Sequence, residues 1–176
     1  MFYIILIVFG ILFLIIFTIF IIKSYKLKIL NYKLIEAEKK ITETINDKYS
    51  LLKDIKELLQ NKGNEDFLKN LDKIDINNLN IYELNMELSK YDKDIIELID
   101  YNKEIVFNDE EQEYFDKLEK VNNNRLAIEK YFNDNAQQFN ESIHVFPSNI
   151  ISAIKKYKEK ELFSNKKEEI FEILKQ

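Results

Sequence analysis

The hydrophobic pattern of this chain changes character once, near residue 22. Residues 2–22 are apolar throughout, apart from Gly10, Thr18 and the hydroxyl of Tyr3. As a helix rising 1.5 Å per residue, such a run covers about 30 Å, the thickness of a bilayer hydrocarbon core. Beyond it the apolar positions become periodic. Leu27, Leu30, Leu34, Ala37, Ile41, Ile45, Leu52, Ile55 and Leu59 recur at three- and four-residue steps. This predicts an amphipathic helix over residues 23–60, continuous with the apolar run, with a stutter at Ile41–Ile45. Its stop falls at residues 61–64, where Gly63 supplies a left-handed C′ residue.

A second helical region is predicted over residues 65–104. Its first part carries Phe67, Leu68, Leu71 and Ile74, and its second part carries Ile81, Leu84, Leu88, Tyr91, Ile95 and Leu98. Between them lies Asp75-Ile76-Asn77-Asn78-Leu79-Asn80, whose short polar side chains compete for backbone hydrogen bonds. A kink or short break is expected there. Asn108 and Glu111 read as a capping box that opens a third helix. That helix has the most regular stripe, from Phe115, Leu118 and Val121 through Arg125 and Ile128 to Phe132, Ala136, Phe139 and Ile143.

Phe132, Phe139 and Phe146 stand seven residues apart, which returns to one helix face every two turns. The three rings therefore read as a single seam, ended by Pro147. Asn133 and Asn140 follow the first two rings and read either as hydrogen-bonding across helices or as facing water. Arg125 falls on the apolar stripe. It reads either as snorkelling at the edge or as paired with an acid on a neighbouring helix. Ser148 is expected to cap a short fourth helix with Ile150, Ile151, Ile154 and Tyr157 on one side. Phe163 is expected to pack back on the bundle, and residues 165–176 form a tail helix.

Composition narrows the class. Two glycines and one proline in 176 residues favour long helices over sheets. The absence of cysteine excludes disulfides and thiolate metal sites. Lys23, Lys26, Lys28 and Lys33 follow the apolar run, and no basic side chain precedes it. By the positive-inside rule the N-terminus lies outside and the rest in the cytoplasm. The missing basic n-region and small-residue cleavage site favour a retained membrane helix over a signal peptide. Charge is uneven, since residues 61–112 hold six basic and fourteen acidic side chains within a net charge of −5. No clustered basic footprint suits nucleic acid. An up-down-up bundle would set the acidic stretch 102–113 beside Lys23, Lys26 and Lys28. It would point the Pro147 end away from the membrane.

Candidate chemistry is thin. Glu141-x-x-His144 matches one motif of di-iron carboxylate bundles, but such a site needs two motifs and His144 is the only histidine. No Walker loop, dinucleotide fingerprint or Ser/His/Asp set is present. The leading expectation is a non-enzymatic protein without cofactor. The alternative is a metal-dependent enzyme whose site, with Glu141 and His144, is completed between subunits.

Several elements together resemble the LemA family of bacterial membrane proteins. They are Asn124-Arg125, the pairs Phe132-Asn133 and Phe139-Asn140, Ile143, and Phe146-Pro147-Ser148-Asn149, with an aromatic segment from Tyr157 to Phe163. In that family the pairs are usually Tyr-Asn, and an arginine stands where Lys48 precedes Leu51 and Leu52. The resemblance implies a single N-terminal span and a cytoplasmic antiparallel helical bundle, with no catalytic residues. The expected architecture is therefore all-α. A transmembrane helix over 1–22 leads into an antiparallel bundle of three long helices plus a short C-terminal helix over 23–164. The expected partners are the lipid bilayer, through residues 2–22, and an unknown protein or a second copy. The contact surface is expected around Pro147, Ser148, Asn149 and Ile150.

Overall fold

A computed structural model describes residues 1–64, 66–76, 78–101 and 106–163. The tail helix expected over residues 165–176 lies outside them. The fold is all-α, with helices α1 (Phe2–Asn61), α2 (Ile81–Tyr101), α3 (Asp109–His144) and α4 (Ser148–Lys155) and a 3₁₀ turn at Leu71–Lys73. The apolar run and the first amphipathic helix are one unbroken helix, as the pattern predicts. Packing divides the chain into two units, each built around part of α1.

The first unit holds Met1–Glu38 and the chain from Lys130 onward. No described residue covers residues 2–19, and α1 is long and apolar enough there to cross a membrane. Burial begins at Leu27, and the core joins Leu27, Leu30, Leu34 and Ala37 to Phe132, Ala136, Phe139 and Ile143. Ile151 of α4 and Phe163 complete it.

The second unit is Lys39–Glu129. Its core joins Ile41, Ile45, Leu52, Ile55 and Leu59 of α1 to Leu84, Leu88, Ile95 and Leu98 of α2 and to Phe115 and Leu118 of α3. Both positions around the stutter, Ile41 and Ile45, are buried. Contacts set the helix directions. Lys48 pairs with Asp92 at 2.7 Å, and Lys62 Nζ reaches the Val106 carbonyl at 2.8 Å. Advancing along α1 thus advances along α2, so the two are parallel. Asn85 meets Glu129 and Asp92 meets Asn122, which makes α3 antiparallel to α2.

The expected up-down-up path is corrected here. The returning leg is not a helix but the turn-rich stretch after Gly63. It runs back along α1, with Leu71 fully buried, Lys56 paired to Asp72, and Ile76 and Leu79 beside Thr42 and Ile45. The break predicted at Asp75–Asn80 is real but wider than a kink. Asp75 takes the Asn78 amide at 2.6 Å, as short polar side chains do outside helices. Helix resumes at a second capping box, in which Asn80 Oδ1 accepts the Glu83 N–H and Glu83 Oε2 accepts the Asn80 N–H.

The other boundaries match their signals. Gly63 adopts φ +83°, the Asn64 N–H reaches the Leu59 carbonyl and the Gly63 N–H that of Gln60, a Schellman ending. Asn108 Oδ1 accepts the Glu111 N–H at 2.9 Å and Glu111 Oε2 accepts the Asn108 N–H at 2.8 Å. Glu111 also meets Lys62 at 2.8 Å. The acid-rich connection therefore pairs with the lysine just past the end of α1, not with Lys23, Lys26 and Lys28 as expected. The Lys62 hydrogen bond, then the Asn108 N–H, hold the Glu111 carboxyl below its usual 4.5. A depressed carboxyl contributes stability above its unfolded pKa and loses it as pH falls through the folded one. Glu111→Gln should lower the melting temperature at neutral pH, with the difference from wild type vanishing in the acid range.

Candidate functional site

The seven-residue Phe-Asn repeat works as a clamp within the first unit. Phe132 and Phe139 are almost fully buried, so two of the three predicted seam rings lie in the core. Besides the α1 core they meet two aromatic rings, which are not on another long helix. They come from residues 157–163, which have no regular structure and lie back along α3. Phe163 meets Phe132 edge-on at 5.3 Å between centroids, and Tyr157 meets Phe139 at 5.4 Å.

The asparagines hold the backbone of the same segment. Asn140 Nδ2 donates to the Lys160 carbonyl and Asn140 Oδ1 accepts the Lys160 N–H, both at 2.8 Å. Asn133 does the same for Phe163, both at 2.9 Å. A carboxamide carries one donor group and one acceptor, so it mimics the edge of a neighbouring strand. The spacing fits. Seven helical residues advance about 10.5 Å, which three residues of extended chain match at about 10 Å. Lys160 Nζ adds an ion pair to Glu38 at 2.9 Å, and His144 Nε2 lies 2.6 Å from Glu159 Oε1. Asn140→Ala leaves two backbone groups without their partner and should cost about 1–3 kcal/mol. Amide exchange at Lys160 should accelerate first.

A polar network occupies the second unit. The Lys48 side chain is 0 % exposed, and its ammonium meets Asp92 Oδ2 at 2.7 Å. The Asn122 amide donates to Asp92 Oδ1 at 3.1 Å. Burial pushes the Lys48 ammonium below its ordinary 10.5, and this outweighs the opposing pull of Asp92. One turn along α3, Arg125 meets Glu129 at 2.5 Å, with both side chains buried, and Asn85 of α2 donates to the same oxygen at 2.8 Å. Arg125 Nε, Asn85 Oδ1 and Asn122 Oδ1 are buried without a partner. Arg125 thus neither snorkels nor pairs with a neighbouring helix. Its acid is four residues ahead on its own helix.

The remaining predicted residues divide. Phe146 is 66 % exposed and leaves the seam, because α3 ends at His144 and the next residues turn before α4. Pro147 stands at the N-terminus of α4 and contributes no side-chain cap. Ser148 is not the cap either. It is buried as the first residue of α4, and its carbonyl accepts the Ser152 hydroxyl at 2.9 Å. Asn149 Oδ1 accepts the Ile150 N–H. Ile150 and Ile154 are exposed while Ile151 is buried, so they do not share the inner face as expected. Glu141 accepts the Gln137 amide, and His144 faces Glu159 rather than Glu141. Among the described residues no three His, Asp or Glu side chains are grouped to hold a metal.

Sequence reasoning noted Lys48 only as standing where the family has an arginine, and it missed Asp92, Asn85 and Lys160. Lys48 was legible in principle, because the 41–45–48–52 step places it on the buried stripe. Lys160 acts through its backbone, for which the sequence carries no sign.

No curated protein and no solved structure matches this chain. A model of the LemA family matches residues 32–173, a span that begins after the apolar run and takes in both polar arrangements, and the protein belongs to that family.

Proposed function

We propose that this protein is a membrane-anchored, non-enzymatic scaffold whose helical bundle engages another protein, or a second copy of itself, at the cytoplasmic face of the membrane. The observation that carries this reading is α1. One unbroken helix joins an apolar run that no described residue covers to the packed core of the first unit, so that core is tied directly to its anchor. Lys23, Lys26, Lys28 and Lys33 support a cytoplasmic bundle and an outside N-terminus. The excess of acid in residues 61–112 favours a partner with a basic surface.

The chain has no cysteine, so single cysteines report cleanly. An impermeant maleimide should label Tyr3→Cys on intact cells and Ile96→Cys only after permeabilisation. A photo-crosslinker at Met86, 48 % exposed on α2, should give one discrete adduct in the membrane. The reverse labelling overturns the orientation. No adduct together with a monomer by native mass spectrometry overturns the scaffold.

A further inference from the structure

Among the described residues, an apolar surface lies uncovered in the unit that also holds the apolar run. Val145, Phe146, Ile150 and Ile154 are 57, 66, 45 and 70 % exposed. They occupy the turn after α3 and the outer side of α4, while Ser148, Ile151 and Ser152 face inward. Four large apolar side chains within ten residues mark a contact surface rather than scattered exposure.

Its position identifies the partner. Burial along α1 begins at Leu27, five residues or roughly 7–8 Å beyond Ile22. The headgroup layer on each side of a bilayer is about 5–7 Å thick. Within the first unit, the last turns of α3 and all of α4 pack with Met1–Glu38, whose buried residues begin at Leu27. α4 thus belongs to the same unit as the apolar run, and not to the second unit. Charge agrees. Residues 1–35 contain four lysines and no acid, and residues 142–158 contain three lysines and no acid, although the whole chain is −5.

We propose that α4 is a second membrane contact. Phe146, Ile150 and Ile154 enter the headgroup–acyl boundary of the leaflet that α1 leaves, and Lys155, Lys156 and Lys158 meet anionic headgroups. Amphipathic helices with apolar and lysine-bearing faces bind interfaces in this way. The proposal rests on residues 2–22 spanning the bilayer.

The test uses the full chain in nanodiscs of phosphatidylcholine and phosphatidylglycerol. A nitroxide is placed on single cysteines at Phe13, Ile96 or Ile154, and collisions with oxygen and with a water-soluble nickel chelate are compared. The oxygen-to-nickel ratio at Ile154 should exceed that at Ile96 severalfold and fall below that at Phe13. It should drop in pure phosphatidylcholine, and Lys155→Gln, Lys156→Gln and Lys158→Gln together should abolish that lipid dependence. A ratio at Ile154 equal to that at Ile96, with Phe13 in lipid, overturns the α4 contact and leaves the span intact. Shielding of Ile154 from both reagents means that protein covers α4, and also overturns it. A water-exposed Phe13 overturns the span and this contact together.

Discussion

Asp92→Leu is expected to destabilise the protein by about 3–5 kcal/mol, because it strands the Lys48 ammonium in the core without its counter-charge. Two features make the effect large. The Lys48 side chain is 0 % exposed, so water cannot replace the carboxylate. Asn122 also loses its acceptor on Asp92. Lys48→Met combined with Asp92→Leu should recover most of the loss, since both charges then leave a site where desolvation already outweighs their attraction. Denaturant midpoints of the detergent-solubilised full chain measure all three variants. A double variant as unstable as the single one would show that the pair contributes more than it costs.

Lys48 also predicts an alkaline signature. Its folded pKa lies below 10.5, so between the two values the unfolded chain holds the extra proton. Stability therefore rises with pH through that window, and the penalty of the buried charge is fully present below it. Subtracting the profile of Lys48→Met from that of wild type should isolate this rise. A difference that stays flat up to 10.5 would mean that the ammonium is not desolvated.

Phe139→Ala is the second large effect, at about 3–5 kcal/mol. Its ring is 1 % exposed between the α1 core and Tyr157. Phe146→Ala, at the next position of the same seven-residue series, should change stability by less than about 0.5 kcal/mol, since that ring is 66 % exposed. Hydrogen exchange separates loss of core from loss of clamp. With Phe139→Ala the Lys160 amide should lose protection along with the buried turns of α3. With Asn140→Ala the turns of α3 should keep theirs.

These contrasts show what periodicity could reveal. The stripe on α1 and most of that on α3 were readable because buried helix faces impose a 3.6-residue rhythm. The capping box at Asn108 and the stop at Gly63 were readable because each depends on local chemistry. Phe146 misled because its spacing continues a helix that has already ended. The direction of α2 was hidden for another reason. The returning leg holds itself with Leu71, Lys56–Asp72 and side-chain turns, none of which has a period. The asparagine clamp was half visible. The Phe-Asn repeat marked the helix side, but its other side is main chain, whose hydrogen-bonding groups are the same for almost every residue type.

α1 also has a mechanical consequence. Within the first unit, residues 23–38 carry it about 24 Å past the apolar run, with no proline and no glycine after Gly10 to act as a hinge. Apolar helices commonly tilt by about 20° to match bilayer thickness. On a shaft of this length, such a tilt sweeps its end at Glu38 sideways by about 8 Å. A change of one or two ångströms in the membrane is thereby converted into a displacement several times larger within the first unit.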